Sequence, residues 1–120
     1  MYEYNATLLR VVDGDTVDAN IDLGFDIHVK KRIRLQGIDA WESRTRDLVE
    51  KRKGLLAKQW LHDILALHDN KFILQSSKVG KFGRCIGIIY VDSKTKNDKN
   101  IIVNINEKLI LEGHAKKYPG

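Results

Sequence analysis

The chain has 120 residues, of which 42% are hydrophobic and 31% are charged, and its formal net charge is +5. This length predicts one domain over residues 1–120, and the positive charge favours a polyanionic partner, nucleic acid before an acidic membrane. The single cysteine, Cys85, excludes an internal disulfide and any cysteine-based zinc site. We expect Cys85 to be a small apolar core residue within a strand.

The N-terminus carries neither a basic n-region nor an apolar h-region, and no apolar run approaches the roughly 20 residues of a membrane span. We therefore expect no signal peptide, no membrane partner and a cytoplasmic location by default. A phage-encoded protein, or one that acts outside its cell, stays open as an alternative. We also expect a monomer without an obligate protein partner.

Three strands are predicted in the first third of the chain. Ala6 to Val12 is an apolar segment that stops at Asp13-Gly14, a turn signal. Thr16 to Asp22 alternates apolar and polar residues, which indicates a half-buried strand. After a loop, a third strand is predicted from about Ile27 to Gln36.

The hydrophobic period changes between about Asp47 and Leu67, where apolar residues at spacings of three, four and seven predict an amphipathic helix. Asp47 with Glu50 three residues later resembles a capping box at its start. The predicted buried stripe is Leu48, Leu55, Leu56, Trp60, Ile64 and Leu67.

Gly54 interrupts this helical pattern and costs about 1 kcal/mol relative to alanine, so it indicates a bend or a later helix start. The opposite face is basic, which favours a solvated helix surface over a nucleic-acid groove. Its residues are Lys51, Arg52, Lys53 and Lys58.

Two further strands and a second helix are predicted in the rest of the chain. One strand covers Phe72 to Ser76, and another opens at Lys81 and runs through Tyr90; the polar stretch from Asp92 to Asn100 is predicted to be a mobile turn. The second helix covers about Ile105 to Glu112, with Asn104 and Gly113 at its two ends. The order β-β-β-α-β-β-α predicts an α+β, mainly β fold, a five-stranded OB-type barrel with two helices.

Four clusters carry residues suited to phosphate chemistry. Carboxylates brought to one place need a hard divalent cation to offset their repulsion, and paired guanidinium groups suit a phosphate in a highly charged transition state. Together they would suffice for phosphodiester hydrolysis. Taken singly, each cluster is better explained as a turn, a pair of solvated carboxylates or part of a basic strand face. The clusters are Asp13-Gly14-Asp15-Thr16, Arg34, Asp39 with Glu42, and Gly83-Arg84.

In combination these motifs resemble the staphylococcal nuclease (thermonuclease) family, in family order from about Ala6 to Tyr118. The matching segments are Val11–Val17 as V-V-D-G-D-T-V, Arg34–Glu42 as R-L-Q-G-I-D-A-W-E, Lys81–Arg84 as K-F-G-R, and Ile105–Leu109 as I-N-E-K-L. The resemblance implies a hydrolase, an endonuclease that cuts DNA, RNA or both and leaves 3′-phosphate and 5′-hydroxyl ends. The resemblance is to a short form of the family, one that lacks the C-terminal helix.

The resemblance also implies the roles of individual residues. Asp15 and Asp39 would ligate one Ca²⁺ ion together with the main-chain carbonyl of Ala40. Glu42 would be the general base or would orient the attacking water. Two arginines, Arg34 and Arg84, would clamp the scissile phosphate.

The resemblance further implies a nucleotide pocket, with Lys81, Phe82 and Ile86 at its lip and Tyr118 near a pocket-lining position. The family's Thr-Pro before the glutamate is Ala40-Trp41 here. This replacement alters the stiffness of the Glu42 loop, and it places a tryptophan where an exposed ring could stack on a base.

The leading alternative is a non-catalytic, OB-type nucleic-acid-binding module. Such a module has no use for carboxylates that face a polyanion, and this favours catalysis. A calcium switch of the EF-hand type is excluded because its glycine position is Asp18 and its last glutamate position is Gly24. The four histidines share no metal-binding spacing, and we expect surface or capping roles for them.

Overall fold

The structure, a computed structural model, describes residues 2–76, 85–94 and 99–118. Within these ranges the chain forms eight strands and two helices. In chain order they are β1 (Tyr2–Asp13), β2 (Thr16–Asp22), β3 (His28–Leu35), β4 (Ile38–Ala40), α1 (Leu48–Ala66), β5 (Lys71–Ser76), β6 (Cys85–Lys94), β7 (Asn100–Asn104), α2 (Ile105–Leu111) and β8 (Ala115–Lys117).

Five strands close into a barrel. The main sheet has the order β3-β2-β1-β5-β6-β7, and a parallel pairing between β3 and β6 joins Ile33 to Cys85 and Leu35 to Gly87. Closure pairs the backbone groups of both edges, so the barrel itself has no open edge. The predicted mainly β, α+β barrel with two helices is therefore confirmed.

Three strands were not predicted, and some boundaries differ. β1 begins at Tyr2 rather than Ala6, because Tyr2 pairs with Ser76 of β5. The turn predicted from Asp92 to Asn100 is wrong at its start, since β6 continues to Lys94 and pairs with β7. Both β4 and β8 have three residues, too few to show a period of two.

The core fills the barrel and the space under α1. Alternation along β2 buries Val17, Ala19 and Ile21 completely, as its sequence pattern predicts. Cys85 is buried in β6, which confirms its predicted place, and burial raises the pKa of its thiol. Over the described residues, neither helix is long and apolar enough to cross a membrane.

Helix α1 buries a different face from the predicted one. Its fully buried positions are Gly54, Ala57, Leu61 and Leu65. Of the predicted stripe, Trp60 and Ile64 are partly buried against the core, whereas Leu48, Leu55, Leu56 and Leu67 are exposed. The predicted stripe was wrong because it omitted Leu61 and Leu65, which pack into the core, and because Gly54 and Ala57 are too small to be found by counting large apolar side chains.

The predicted helix ends agree with the structure. Asp47 is the N-cap of α1, and its carboxylate accepts hydrogen bonds from the N–H groups of Val49 and Glu50. Asn104 caps α2 by accepting from Glu107 N, at 3.1 Å. Gly113 follows α2 with φ +78°, a conformation in which glycine has no Cβ penalty.

Candidate active site

The Asp13–Thr16 turn and strand β3 meet at one end of the barrel. The antiparallel register pairs Thr16 with Arg34. The main-chain carbonyl of Asp15 accepts a 2.8 Å hydrogen bond from Leu35 N, and Arg34 Nη1 lies 3.5 Å from the same oxygen. Strand pairing alone therefore places Asp15 beside Arg34.

The Asp15 carboxylate is held by two donors. Thr16 Oγ1 donates to Oδ1 at 2.9 Å, and Ala40 N donates to Oδ2 at 3.0 Å. Only 13% of the Asp15 side chain is exposed. The contact with Ala40 ties the first turn to strand β4, so the two separate acidic segments are joined by a direct hydrogen bond.

Arg34 lies between the two aspartates. Its Nη2 is 3.5 Å from Asp15 Oδ2 and 3.6 Å from Asp39 Oδ1, while Nη1 donates to Leu35 O at 3.0 Å. The Arg34 side chain is 20% exposed and that of Asp39 is 59% exposed. Both carboxylates thus converge on one guanidinium nitrogen at the surface of the barrel.

Glu42 follows β4 and is exposed, and its main chain lies directly against α1. A Cβ at Gly54 would lie 2.5 Å from the carbonyl carbon of Glu42 and 2.6 Å from Ser43 N. The helix therefore accepts the Glu42 segment because position 54 has no side chain. The sequence placed Gly54 in the helix, but it did not reveal this contact.

A second contact links the same segments. Ser43 is buried and its hydroxyl donates a short hydrogen bond to Asp13 Oδ1. A Cβ at Gly14 would lie 2.8 Å from Ala57 Cβ and 3.0 Å from Ala40 Cβ. The acidic turn and the Glu42 segment thus rest on one small-residue surface of α1, which consists of Gly54 and Ala57.

The oxygen atoms of this site are of the kinds that hard cations bind. Asp15 and Asp39 supply carboxylates, and the hydrogen bond from Ala40 N to Asp15 puts the Ala40 backbone beside them. Calcium takes six to eight such oxygens, including carbonyls and water. Across the described part of the chain, no three His, Cys, Asp or Glu side chains form a metal-binding group. The pair of aspartates, without Glu42, is what the fold brings together.

Three predicted site residues lie outside the described residues. These are Arg84, predicted to clamp the phosphate, and Lys81 and Phe82, predicted at the pocket lip. Ile86 is described, and it is the β6 partner of Arg34 in the parallel ladder, with 37% of its surface exposed. Its backbone position is therefore adjacent to the predicted phosphate clamp.

Tyr118 follows β8, and its N–H donates a 2.9 Å hydrogen bond to Gly37 O. It helps to line a cavity of about 580 Å³ between β4, β8 and α2. The described residues that line this cavity do not include Asp15, Arg34, Asp39 or Glu42. The predicted role of Tyr118 in nucleotide binding stays a prediction.

Trp41 is held against the α2–β8 corner rather than projecting into solvent. Its indole Nε1 donates to Gly113 O at 3.3 Å, and the ring is half-buried. The ammonium groups of Lys53 and Lys116 each lie 4.5 Å from the ring centroid. Base stacking by Trp41 stays a prediction, but two cations already contact this ring.

Sequence reasoning gave no structural role to Asn106, which is buried in α2. Its side-chain nitrogen donates to Gln36 O at 2.9 Å and to Gly87 O at 3.2 Å, and its oxygen accepts from Ile89 N. These bonds fix the end of β3 before the turn into β4. The sequence did offer one signal of this role, because Asn106 is a polar residue among the apolar positions of α2.

Two comparisons of the sequence with known proteins bear on its family. Residues 32–119 match a family model described as staphylococcal nuclease homologue. The chain is also 27% identical over 116 residues to a protein from Shigella flexneri named micrococcal nuclease. That alignment covers 97% of this chain and 59% of the relative, so the chain spans less than two thirds of the longer protein.

Proposed function

Because the chain belongs to the staphylococcal nuclease homologue family, we propose that it is a nuclease that hydrolyses phosphodiester bonds of DNA, RNA or both. One observation carries the proposal: Asp15 and Asp39, from separate segments, both lie within 4 Å of the same nitrogen of Arg34. The Arg34 guanidinium lies between two carboxylates, and the exposed Glu42 follows the strand that carries Asp39. Together these side chains are the groups that phosphodiester hydrolysis needs.

The cation of the proposal is Ca²⁺, held by the Asp15 and Asp39 carboxylates and the Ala40 carbonyl. When bound, such an ion offsets carboxylate charge and polarises a phosphate oxygen. The hydrogen bonds from Thr16 and Ala40 fix the Asp15 carboxylate before any ion arrives. This preorganisation lowers the conformational cost of binding.

The chain's own residues perform the remaining steps. Arg34, with its planar fork of donors, binds the scissile phosphate and answers the charge that grows on its oxygens. Arg84 is proposed as the second guanidinium. Glu42 removes or directs the proton of the attacking water. Departure of the 5′ oxygen leaves 3′-phosphate and 5′-hydroxyl ends.

Cleavage of labelled single- and double-stranded DNA and RNA, with added Ca²⁺ and with chelator, tests this function. We expect product only with the cation, and end-group analysis should find 3′-phosphates. Glu42→Gln should lower the rate by about 10²–10⁴, the usual contribution of a general base.

Glu50→Gln is the matched control, because Glu50 lies in the first turn of the nearby helix and has no proposed catalytic role. Its rate should stay within a few-fold of the parent's. Equal rates for Glu42→Gln and the parent would contradict the assignment of Glu42. Binding without cleavage under every metal condition would instead support the non-catalytic binding module.

A further inference from the structure

Lys53 and Lys116 come from distant parts of the chain and meet at one aromatic ring. Lys53 lies in α1 and Lys116 in β8, and both ammonium groups are 4.5 Å from the centroid of Trp41. Cation–π attraction is worth about 0.5–1 kcal/mol at an exposed site, and it draws both ammonium groups to one ring. This contact leaves the positive charge of each ammonium group available to an anion.

The ring is fixed in place by the fold. The hydrogen bond from Trp41 Nε1 to Gly113 O orients the indole, and the pairing of Ala40 with Ala115 fixes the strand that precedes it. A cavity of about 200 Å³ lies beside the ring, and its lining includes Trp41, Lys53 and His114. Glu112 also lines it, but Lys108 Nζ lies 3.6 Å from that carboxylate and offsets its charge.

The location of the two lysines connects them to the candidate active site. Lys116 is the strand partner of Asp39, and Trp41 directly precedes Glu42. A polynucleotide whose scissile phosphate lies at Arg34 carries further phosphates along the same strand. Lys53 of α1 and Lys116 of β8 therefore place positive charge beside the residue that follows β4.

We propose that Lys53, Lys116 and Trp41 form a phosphate-binding subsite for a nucleotide that flanks the scissile bond of a single-stranded nucleic acid. The proposal rests on the nuclease function proposed above. Trp41 positions the two ammonium groups, and each ammonium group contacts phosphate next to the scissile bond. The basic face of α1 thus contributes one lysine to substrate binding.

The test measures binding of a labelled single-stranded DNA of about 12 nucleotides, within the site size of such folds, in chelator and at several salt concentrations. Each phosphate contact contributes about 0.7 to the slope of log K against log salt for single strands. Lys53→Ala and Lys116→Ala should each lower the slope by about this amount and weaken binding about fivefold, the scale of an exposed charge contact. Lys71→Ala removes the same charge from β5 and should leave the slope unchanged.

Cleavage assays separate the subsite from the catalytic proposal. Lys53→Ala and Lys116→Ala should lower kcat/KM for the oligonucleotide and leave it unchanged for a nucleoside ester that has one scissile phosphate. Slopes equal to that of Lys71→Ala, or no binding of the oligonucleotide by the parent, would overturn the subsite. A parent that binds with the expected slopes but never cleaves would refute the nuclease function and support the subsite.

Discussion

Asp15 and Arg34 are mostly enclosed by the barrel, with 13% and 20% of their side chains exposed, whereas Asp39 is 59% exposed and Glu42 lies at the surface. The side chains of the enclosed pair are held by hydrogen bonds to β2, β3 and β4. The exposed pair is placed by its backbone, through β4 and the contact with Gly54. The same site therefore has a half fixed by side-chain bonds and a half fixed by main-chain packing.

This difference has a physical basis. A buried charge without partners is costly, so Asp15 requires its donors before it can be enclosed. An exposed carboxylate keeps its hydration and needs no such partner. In the proposed function, the exposed half would therefore meet water, cation and substrate, and the enclosed half would hold the site rigid.

The largest expected effect follows from removing the guanidinium of the enclosed half. Arg34→Ala should lower kcat by about 10²–10³, the usual loss for one preorganised donor to transition-state charge. Arg32→Ala is the matched control on the same strand, since Arg32 is 53% exposed and pairs with Asp18, whose pKa this hydrogen bond lowers. Steady-state cleavage rates for the two variants measure the difference.

Arg32→Ala should stay within about 0.5 kcal/mol of the parent in stability, as surface substitutions usually do, and should keep its activity. A loss of activity that is equal in both variants would show that general strand charge, rather than the position of Arg34 between the aspartates, matters. The proposed catalytic role of Arg34 would then be wrong.

A second, smaller effect comes from disturbing the backbone support of the exposed half. Gly54→Ala gains about 1 kcal/mol of helix propensity. Its Cβ, however, would clash with main-chain atoms of Glu42 and Ser43, which cannot move aside as the end of a flexible side chain can. Overpacking of this kind costs about 1–3 kcal/mol. Displacement of Glu42 should lower kcat by about 10–10², because small misplacements of a catalytic group are costly.

Urea unfolding and steady-state kinetics measure the two effects of Gly54→Ala separately. Lys51→Ala, an exposed substitution in the same helix, should change neither stability nor kcat appreciably. If Gly54→Ala stabilised the protein and kept kcat, α1 would not be the support of the Glu42 segment.

The five barrel strands, the second helix and the acidic motifs were predictable because each has a local signature. The alternation along Thr16 to Asp22 and the cap at Asn104 are examples, and both agree with the structure. Strand pairing then brings Asp15 to Arg34 without further information. The family resemblance supplied the order of the motifs.

The rest depends on contacts between distant segments. The predicted stripe of α1 omitted Gly54 and Ala57 because they are small, and only the approach of Glu42 and Gly14 explains why these two are buried. The strand β8 is too short to show a period. No local pattern could bring Lys116 to Trp41, since that contact requires β4–β8 pairing.

The smallest expected effect concerns His114, which lines the cavity beside Trp41 and whose ring centroid lies 5.5 Å from that of Trp60. Burial lowers the pKa of His114 below the ordinary 6.5, although the charge of Glu112 opposes this shift. The unfolded chain then binds the proton more tightly. Stability from the neutral ring is therefore present above about pH 6.5 and is lost as the pH falls through the lowered pKa.

Urea unfolding of the parent between about pH 5 and pH 7 should thus show stability rising with pH, and His114→Gln should reduce that rise. His62→Gln, at an exposed position of α1, should retain it. The change is small because His114 is only partly buried, so solvent screens much of it. If His114→Gln kept the full pH dependence of stability, the lowered pKa of His114 would not be its cause. The position of Trp41 and Glu42 would then depend on β4–β8 pairing and on packing against α1, and not on the protonation of His114.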